Sequence, residues 1–157
     1  MTRSLWKGYF LENCFFKKAK TNLNVWSRKS SIPSNLIGKT VLVHNGKEFK
    51  KLLSSLKIEQ TISGGSVANS IVGLSQLGND VGFIGKVNDD NLGQKYEEGL
   101  TKEKVQYFYN KKKEISPTGT CLILITPDAE RTMITFLGIA GKISPSDIDE
   151  KAIKESE

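Results

Sequence analysis

Between Gly64 and Gly93 the chain reads GGSVANSIVGLSQLGNDVGFIGKVNDDNLG, and no other stretch restricts its fold as tightly. A glycine pair opens it, so the backbone there can take positive φ and approach another group with no Cβ in the way. Ile71, Val72, Leu74 and Leu77 then fall at helical spacing, giving a helix one apolar face to lay on a sheet. Gly78 follows as the C′ stop. Val81, Phe83 and Ile84 read as a short buried strand closed by Gly85. Asn69 lies just inside the helix, where its amide could offer a donor and an acceptor to a polyhydroxylated ligand.

The flanking sequence continues in the same α/β style. Phe49, Leu52, Leu53 and Leu56 recur at helical spacing over residues 47–56, and residues 58–62 read as an extended lead into the glycine pair. Residues 91–100 are helix-compatible, residues 105–109 read as a strand, and residues 111–114 form a solvated charged loop. Residues 120–126 and 131–136 pair as strands around the turn Pro127, Asp128, Ala129 and Glu130. Ser144, Pro145 and Ser146 supply an N-cap and an N1 proline for a polar helix in residues 143–157.

The glycine pair, the Asn four residues after the second glycine, the Leu-Gly helix end, Gly85 and the acidic turn ending at Gly93 resemble the first signature of the ribokinase, or PfkB, family of sugar and nucleoside kinases. The run PTGTCLILITPDAERTMITFLG, from Pro117 to Gly138, is similar to the lid-forming strands of the adenosine-kinase-like branch. The resemblance implies a ribokinase-like three-layer α/β domain over residues 36–157, with a small β-sheet lid near residues 105–137, truncated before the C-terminal nucleotide-binding half. It implies that Gly64, Gly65 and Asn69 face a small-molecule sugar or nucleoside. Three departures stand out. Asn88 occupies a position where the family has a glycine, and its tolerance of the left-handed region is expected to preserve the turn. Val67 and Ile71 exceed the alanine-sized residues usual at their positions.

In that family the nucleotide site, the anion hole and the catalytic Asp belong to a Gly-Ala-Gly-Asp motif in the second half of a chain about twice this long. Nothing after Gly138 resembles it. ATP and Mg2+ serve the complete family, whereas residues 1–157 are expected to hold no cofactor alone and to supply no catalytic residue. Asp80, Asp89, Asp90, Asp128, Asp147 and Asp149 are present, but none stands at a glycine-rich helix start where phosphate would be cradled. Asp89 and Asp90 read as turn formers. The resulting expectation is an incomplete sugar or nucleoside kinase, inactive by itself. The alternative is a non-catalytic binding subunit that pairs with a separate C-terminal half, and the lid also offers a surface for a homodimer.

Charge is unevenly distributed: residues 1–60 carry twelve Lys or Arg against three acids, in a chain of net charge +6. Trp6, Tyr9, Phe10, Phe15, Phe16 and Trp26 are interleaved with these cations, a composition that can serve nucleic acid. No RNA-binding signature or regular period accompanies them, so nucleic acid is not the expected partner. Residues 1–35 read as a basic irregular segment, with Ser30 to Asn35 as linker and a boundary near Leu36. Residues 1–33, with Glu12 as their only acid, share the composition of a mitochondrial presequence. Otherwise a cytoplasmic location is expected, because Cys14 and Cys121 match no metal or redox spacing and no run of about 18 apolar residues suggests a membrane span. Gly38, Lys39 and Thr40 end like a P-loop, but Pro33 replaces the required glycine and a strand pattern follows. His44 has no partner cluster and is not read as a ligand.

Overall fold

The computed structural model of the chain describes residues 3–5, 14–20, 38–109, 112–125, 127 and 129–156, with the first two stretches described as strand backbone. They form β1 (Arg3–Leu5), β2 (Cys14–Lys20), β3 (Thr40–Leu42), α1 (Gly46–Ser54), β4 (Gln60–Gly64), α2 (Ser66–Gln76) and β5 (Asp80–Phe83). After these come α3 (Asn91–Lys102), β6 (Gln106–Tyr107), β7 (Thr120–Ile125), β8 (Arg131–Phe136) and α4 (Glu150–Lys154), with short 3-10 turns at Ala140–Lys142 and Pro145–Asp147. Two sheets result, ordered β1-β5-β6 and β3-β8-β7-β2-β4. The chain divides into two compact units, each assembled from separated stretches of sequence.

The first unit comprises residues 1–15, 63–119 and 138–157. Its three strands are parallel, with Leu5 opposite Gly82 and Phe83 opposite Tyr107. Parallel strands need cover on their faces, and the sequence supplies it through the apolar stripes of α2 and α3. Ala68 and Ile71 from α2, Tyr96 and Leu100 from α3, and Val81, Phe83, Val87 and Val105 from the strands and their extensions form one buried cluster. Ile71 is 1% exposed, so the larger side chain at this position is absorbed by the core. Leu77 departs from the expected apolar face and is 81% exposed, because the helix ends there. Gly78 has φ +88°; its N–H donates to Ser75 O and that of Asn79 to Leu74 O, a Schellman closure that turns the chain toward β5.

The second unit comprises residues 16–62 and 120–137. β7 and β8 form an antiparallel hairpin in which Leu122 lies opposite Ile134 and Leu124 opposite Thr132. β3 adds to β8 in parallel, Thr40 opposite Met133, extended by Val43 N–H donating to Thr135 O. Alternation along the strands sends Leu122, Leu124 and Ile134 to one face, where they are nearly fully buried. That face is closed by α1. Asn45 caps the helix, its side-chain oxygen accepting from the N–H groups of Lys47 and Glu48. Phe49 stacks on Phe136 with ring centroids 5.5 Å apart, and Leu52, Leu53 and Leu56 pack beside it. Burying a side chain of this size contributes about 2–3 kcal/mol.

Two expectations change. β6 pairs with β5 in the first unit, so the strands within residues 105–137 do not form one sheet: only β7 and β8 belong to the hairpin. Residues 1–35 are not wholly irregular, since β1 and β2 lie within them. Their strand pairing is long-range and leaves no local period to read; the remainder of that segment, and Lys111 and Asp128, fall outside the described residues.

Candidate functional site

Gly64 ends β4 and Gly65 caps α2, so the glycine pair is the junction between a strand and a helix start. Both glycines are buried. Gly65 has φ +125° and ψ +138°, a conformation closed to residues with a Cβ, which explains glycine at this position. Its carbonyl accepts from Asn69 N–H at 2.8 Å, closing the first turn of α2. The cap residue, a glycine, has no side chain to bond that turn, and the turn contains no acid. Asn69 itself is exposed, one turn in from the glycines. The structure thus sets the three sequence-selected residues together at one strand-to-helix junction, with two buried backbone positions and one outward amide.

The second glycine-punctuated turn is organised by groups that local sequence does not reveal. Asn88 does not adopt positive φ; among non-glycine described residues only Lys104 and Ala129 do. Its buried side chain instead donates from Nδ2 to Glu114 O and Ser116 O and accepts at Oδ1 from Glu114 N–H. Its backbone N–H donates to Thr118 Oγ1 at 3.0 Å. Asp90 caps α3 by accepting from Gly93 N–H at 2.8 Å, while its carboxylate also accepts from Thr118 N–H at 2.9 Å and Thr118 Oγ1 at 2.7 Å. Asp89 is exposed, and only its backbone N–H is tied, to Lys112 O. The pair therefore separates into one structural carboxylate and one surface carboxylate. Gly93 is needed for contact: a Cβ there would lie 1.9 Å from Asn88 O.

A third constellation joins the 112–118 loop to the stretch before α4. Lys86 Nζ donates to both carboxylate oxygens of Asp147 at 3.0 Å and lies 3.7 Å from Glu114 Oε1. Burial alone would raise the Asp147 carboxyl, but hydrogen bonds from Lys86 and Ser144 hold it below its usual range. Burial likewise pulls Lys86 down, and its carboxylate partners more than offset this, leaving it above its ordinary value. Asp147 also accepts from Ser144 N–H and Oγ, the capping box that Pro145 helps preset. Both ionised groups are thus occupied with one another. Lys86 and Thr118 were not distinguishable from ordinary surface-type residues in the sequence, because their partners stand 61 and 28 positions away.

A groove of about 410 Å3 is lined by Tyr107, Phe108, Tyr109, Lys112 and residues 146–149, and none of Gly64, Gly65 or Asn69 borders it. Cys121 is a buried free thiol whose burial pushes its pKa up, opposed by the Thr135 hydroxyl that donates to Sγ. This is packing chemistry rather than nucleophile chemistry. Among the described residues no three His, Cys, Asp or Glu side chains gather as metal ligands, and no helix is long and apolar enough to cross a membrane. Gly38, with φ +72°, turns into β3 rather than into a phosphate-binding helix.

The α/β core, the glycine junction and the hairpin define a kinase-type fold, and residues 36–157 match the pfkB family carbohydrate kinases. The chain belongs to that family. It is 33% identical over 123 residues to a 5-dehydro-2-deoxygluconokinase of Clostridium perfringens, covering 76% of this chain and 36% of that protein. It superposes on the crystal structure of adenosine kinase from Sinorhizobium meliloti with a TM-score of 0.78 and 25% identity, covering 92% of this chain and 43% of that one. The chain therefore spans about a third of the length of the curated kinases it matches. A second likeness overlaps the first: residues 3–58 match ribosomal protein S19, and 64 residues are 41% identical to small ribosomal subunit protein uS19m of Marchantia polymorpha, over 41% of this chain and 64% of that protein. The basic charge of this segment does not by itself identify that likeness.

Proposed function

We propose that residues 36–157 form the acceptor-binding side of a sugar or nucleoside kinase. The observation that carries this reading is the junction at Gly65, a buried positive-φ glycine opening a helix with the Asn69 amide exposed one turn on. Buried glycines let hydroxyl-bearing carbon approach the main chain, and Asn69 can donate and accept. No Gly-Ala-Gly-Asp segment occurs in these residues, and phosphoryl transfer needs groups that neutralise and orient the transferring phosphate. Residues 36–157 alone are accordingly expected to bind acceptor without turning it over, and a separately supplied C-terminal half is the partner that would complete the reaction.

Thermal melts of the purified chain with adenosine, ribose and 5-dehydro-2-deoxygluconate test the reading. A ligand at about 100 times its Kd adds roughly 2.7 kcal/mol. One acceptor should raise the transition, and Asn69→Ala, an exposed truncation, should reduce that rise without lowering the ligand-free melt. No acceptor-dependent rise with any of the three would refute the proposal.

The likeness of residues 3–58 to a ribosomal protein supports a second reading, in which this stretch contacts RNA. It carries twelve Lys or Arg against two acids, whereas residues 59–157 carry eleven against fifteen. Such separation places an attractive field for phosphate on one part of the chain. Binding of the chain to single-stranded RNA at low salt is the expected result, and its absence there would remove this reading.

A further inference from the structure

Residues 38–58 belong to both likenesses at once, and in the second unit they use their two sides differently. The inner side of α1 is consumed: Phe49 is 4% exposed, and Leu52 and Leu53 pack with it against the hairpin. Lys47, Lys50 and Lys51 are all exposed. At about 100° per residue these three fall within an arc of about 100°, opposite the direction of Phe49, Leu52 and Leu53. Glu48, the only acid of the helix, lies on the flank. None of the three lysines has an ion-pair partner among the described residues, although ion pairs form elsewhere on exposed helix turns, as between Lys154 and Glu150.

We propose that the outward lysine face of α1 contacts the phosphate backbone of RNA. This rests on the second reading above and assigns it a surface. Three observations favour that partner. The lysines form a single-sign stripe without internal neutralisation. They lie inside the segment whose likeness is to a small-subunit ribosomal protein. That segment also holds the whole positive excess of the chain, since the residues beyond it are net acidic. Lysine supplies compact point charges on flexible stems, suited to phosphate positioning without base readout. Because the apolar side of α1 stays buried while the opposite side makes the contact, binding needs no disruption of the second unit.

The test uses the full chain, a single-stranded 30-nucleotide RNA, and a titration of monovalent salt. Each phosphate contact contributes about 0.7 to the slope of log K against log salt for single strands. In Lys47→Gln/Lys50→Gln/Lys51→Gln the slope should become shallower by about 2, with the thermal transition of the chain unchanged because the side chains are exposed. A control, Lys95→Gln/Lys102→Gln/Lys104→Gln, removes the same charge from exposed positions on and just after α3 and should leave the slope as it was. An unchanged slope in the α1 variant, or an equal decrease in the control, would overturn the assignment while leaving RNA binding by the basic segment intact. No RNA binding by the unaltered chain at low salt would overturn both, as would binding confined to vesicles of anionic phospholipid.

Discussion

Asp90→Ala is expected to cost far more than its surface neighbour Asp89→Ala. The Asp90 carboxylate does three things: it caps α3 through Gly93 N–H, accepts from Thr118 N–H and accepts from the Thr118 hydroxyl. Losing a cap costs about 1 kcal/mol. Thr118 is 1% exposed, so removing the carboxylate that accepts from its N–H costs about 1–3 kcal/mol. Its hydroxyl would still accept from Asn88 N–H but would lose its bond to Asp90. The total comes to about 3 kcal/mol, within bounds of about 2–5. Asp89 is exposed and its side chain makes no described bond, so its truncation should stay within about 0.5 kcal/mol. Urea denaturation of both variants, followed by far-ultraviolet circular dichroism and compared at equal m, measures the difference. A loss below about 1 kcal/mol for Asp90→Ala, or equal losses for the two variants, would refute the account of this turn.

Three other outcomes follow from the structure. The Asp147 carboxyl is held below its ordinary value, so its pairing with Lys86 stabilises the chain above about pH 4 and that contribution disappears as pH falls through the depressed native value; Asp147→Asn should flatten the acid limb of a stability-against-pH profile, and an unaltered limb would contradict the pairing. Gly138→Ala should destabilise by about 2 kcal/mol or more, since φ is +54° and a Cβ would meet Pro117 O at 2.0 Å, whereas Gly73→Ala has open space in the interior of α2 and should stabilise by about 0.5–1 kcal/mol; an unchanged denaturation midpoint in the first, or a lowered one in the second, would count against the corresponding statement. Phe49→Ala should cost about 3–5 kcal/mol and expose the hairpin face to a hydrophobic dye, and a cost near zero would mean that α1 does not close that face.

The sequence conveyed most clearly what is local. Gly65, Gly78 and the period of Ile71, Val72 and Leu74 announce a strand-to-helix junction and its end, and the structure forms both. Alternation in residues 120–125 and 131–136 likewise suffices for a hairpin, because its partners are neighbours. What stayed hidden depends on distance. Asn88 looked like a substitute for glycine because only its backbone could be judged, whereas its side chain acts on carbonyls 26 and 28 residues away. β6 looked like part of the lid because it precedes β7 directly, yet its two residues find hydrogen-bond partners on β5. For Gly64, Gly65 and Asn69 the motif located the junction, but the burial of the first two and the exposure of the third required the fold.

The interleaving of the two units has a consequence for the chain as it is made. β3 joins β8 through residues more than ninety positions apart, and the apolar side of α1 rests on strands that are translated far later. At roughly 5–20 residues per second, about 4–16 s separate the emergence of residue 58 from that of residue 136. Throughout that interval Phe49, Leu52 and Leu53 have no hairpin to cover them. The stretch therefore offers nascent-chain chaperones an amphipathic segment with a basic back, and the second unit cannot close until the ribosome has passed Phe136.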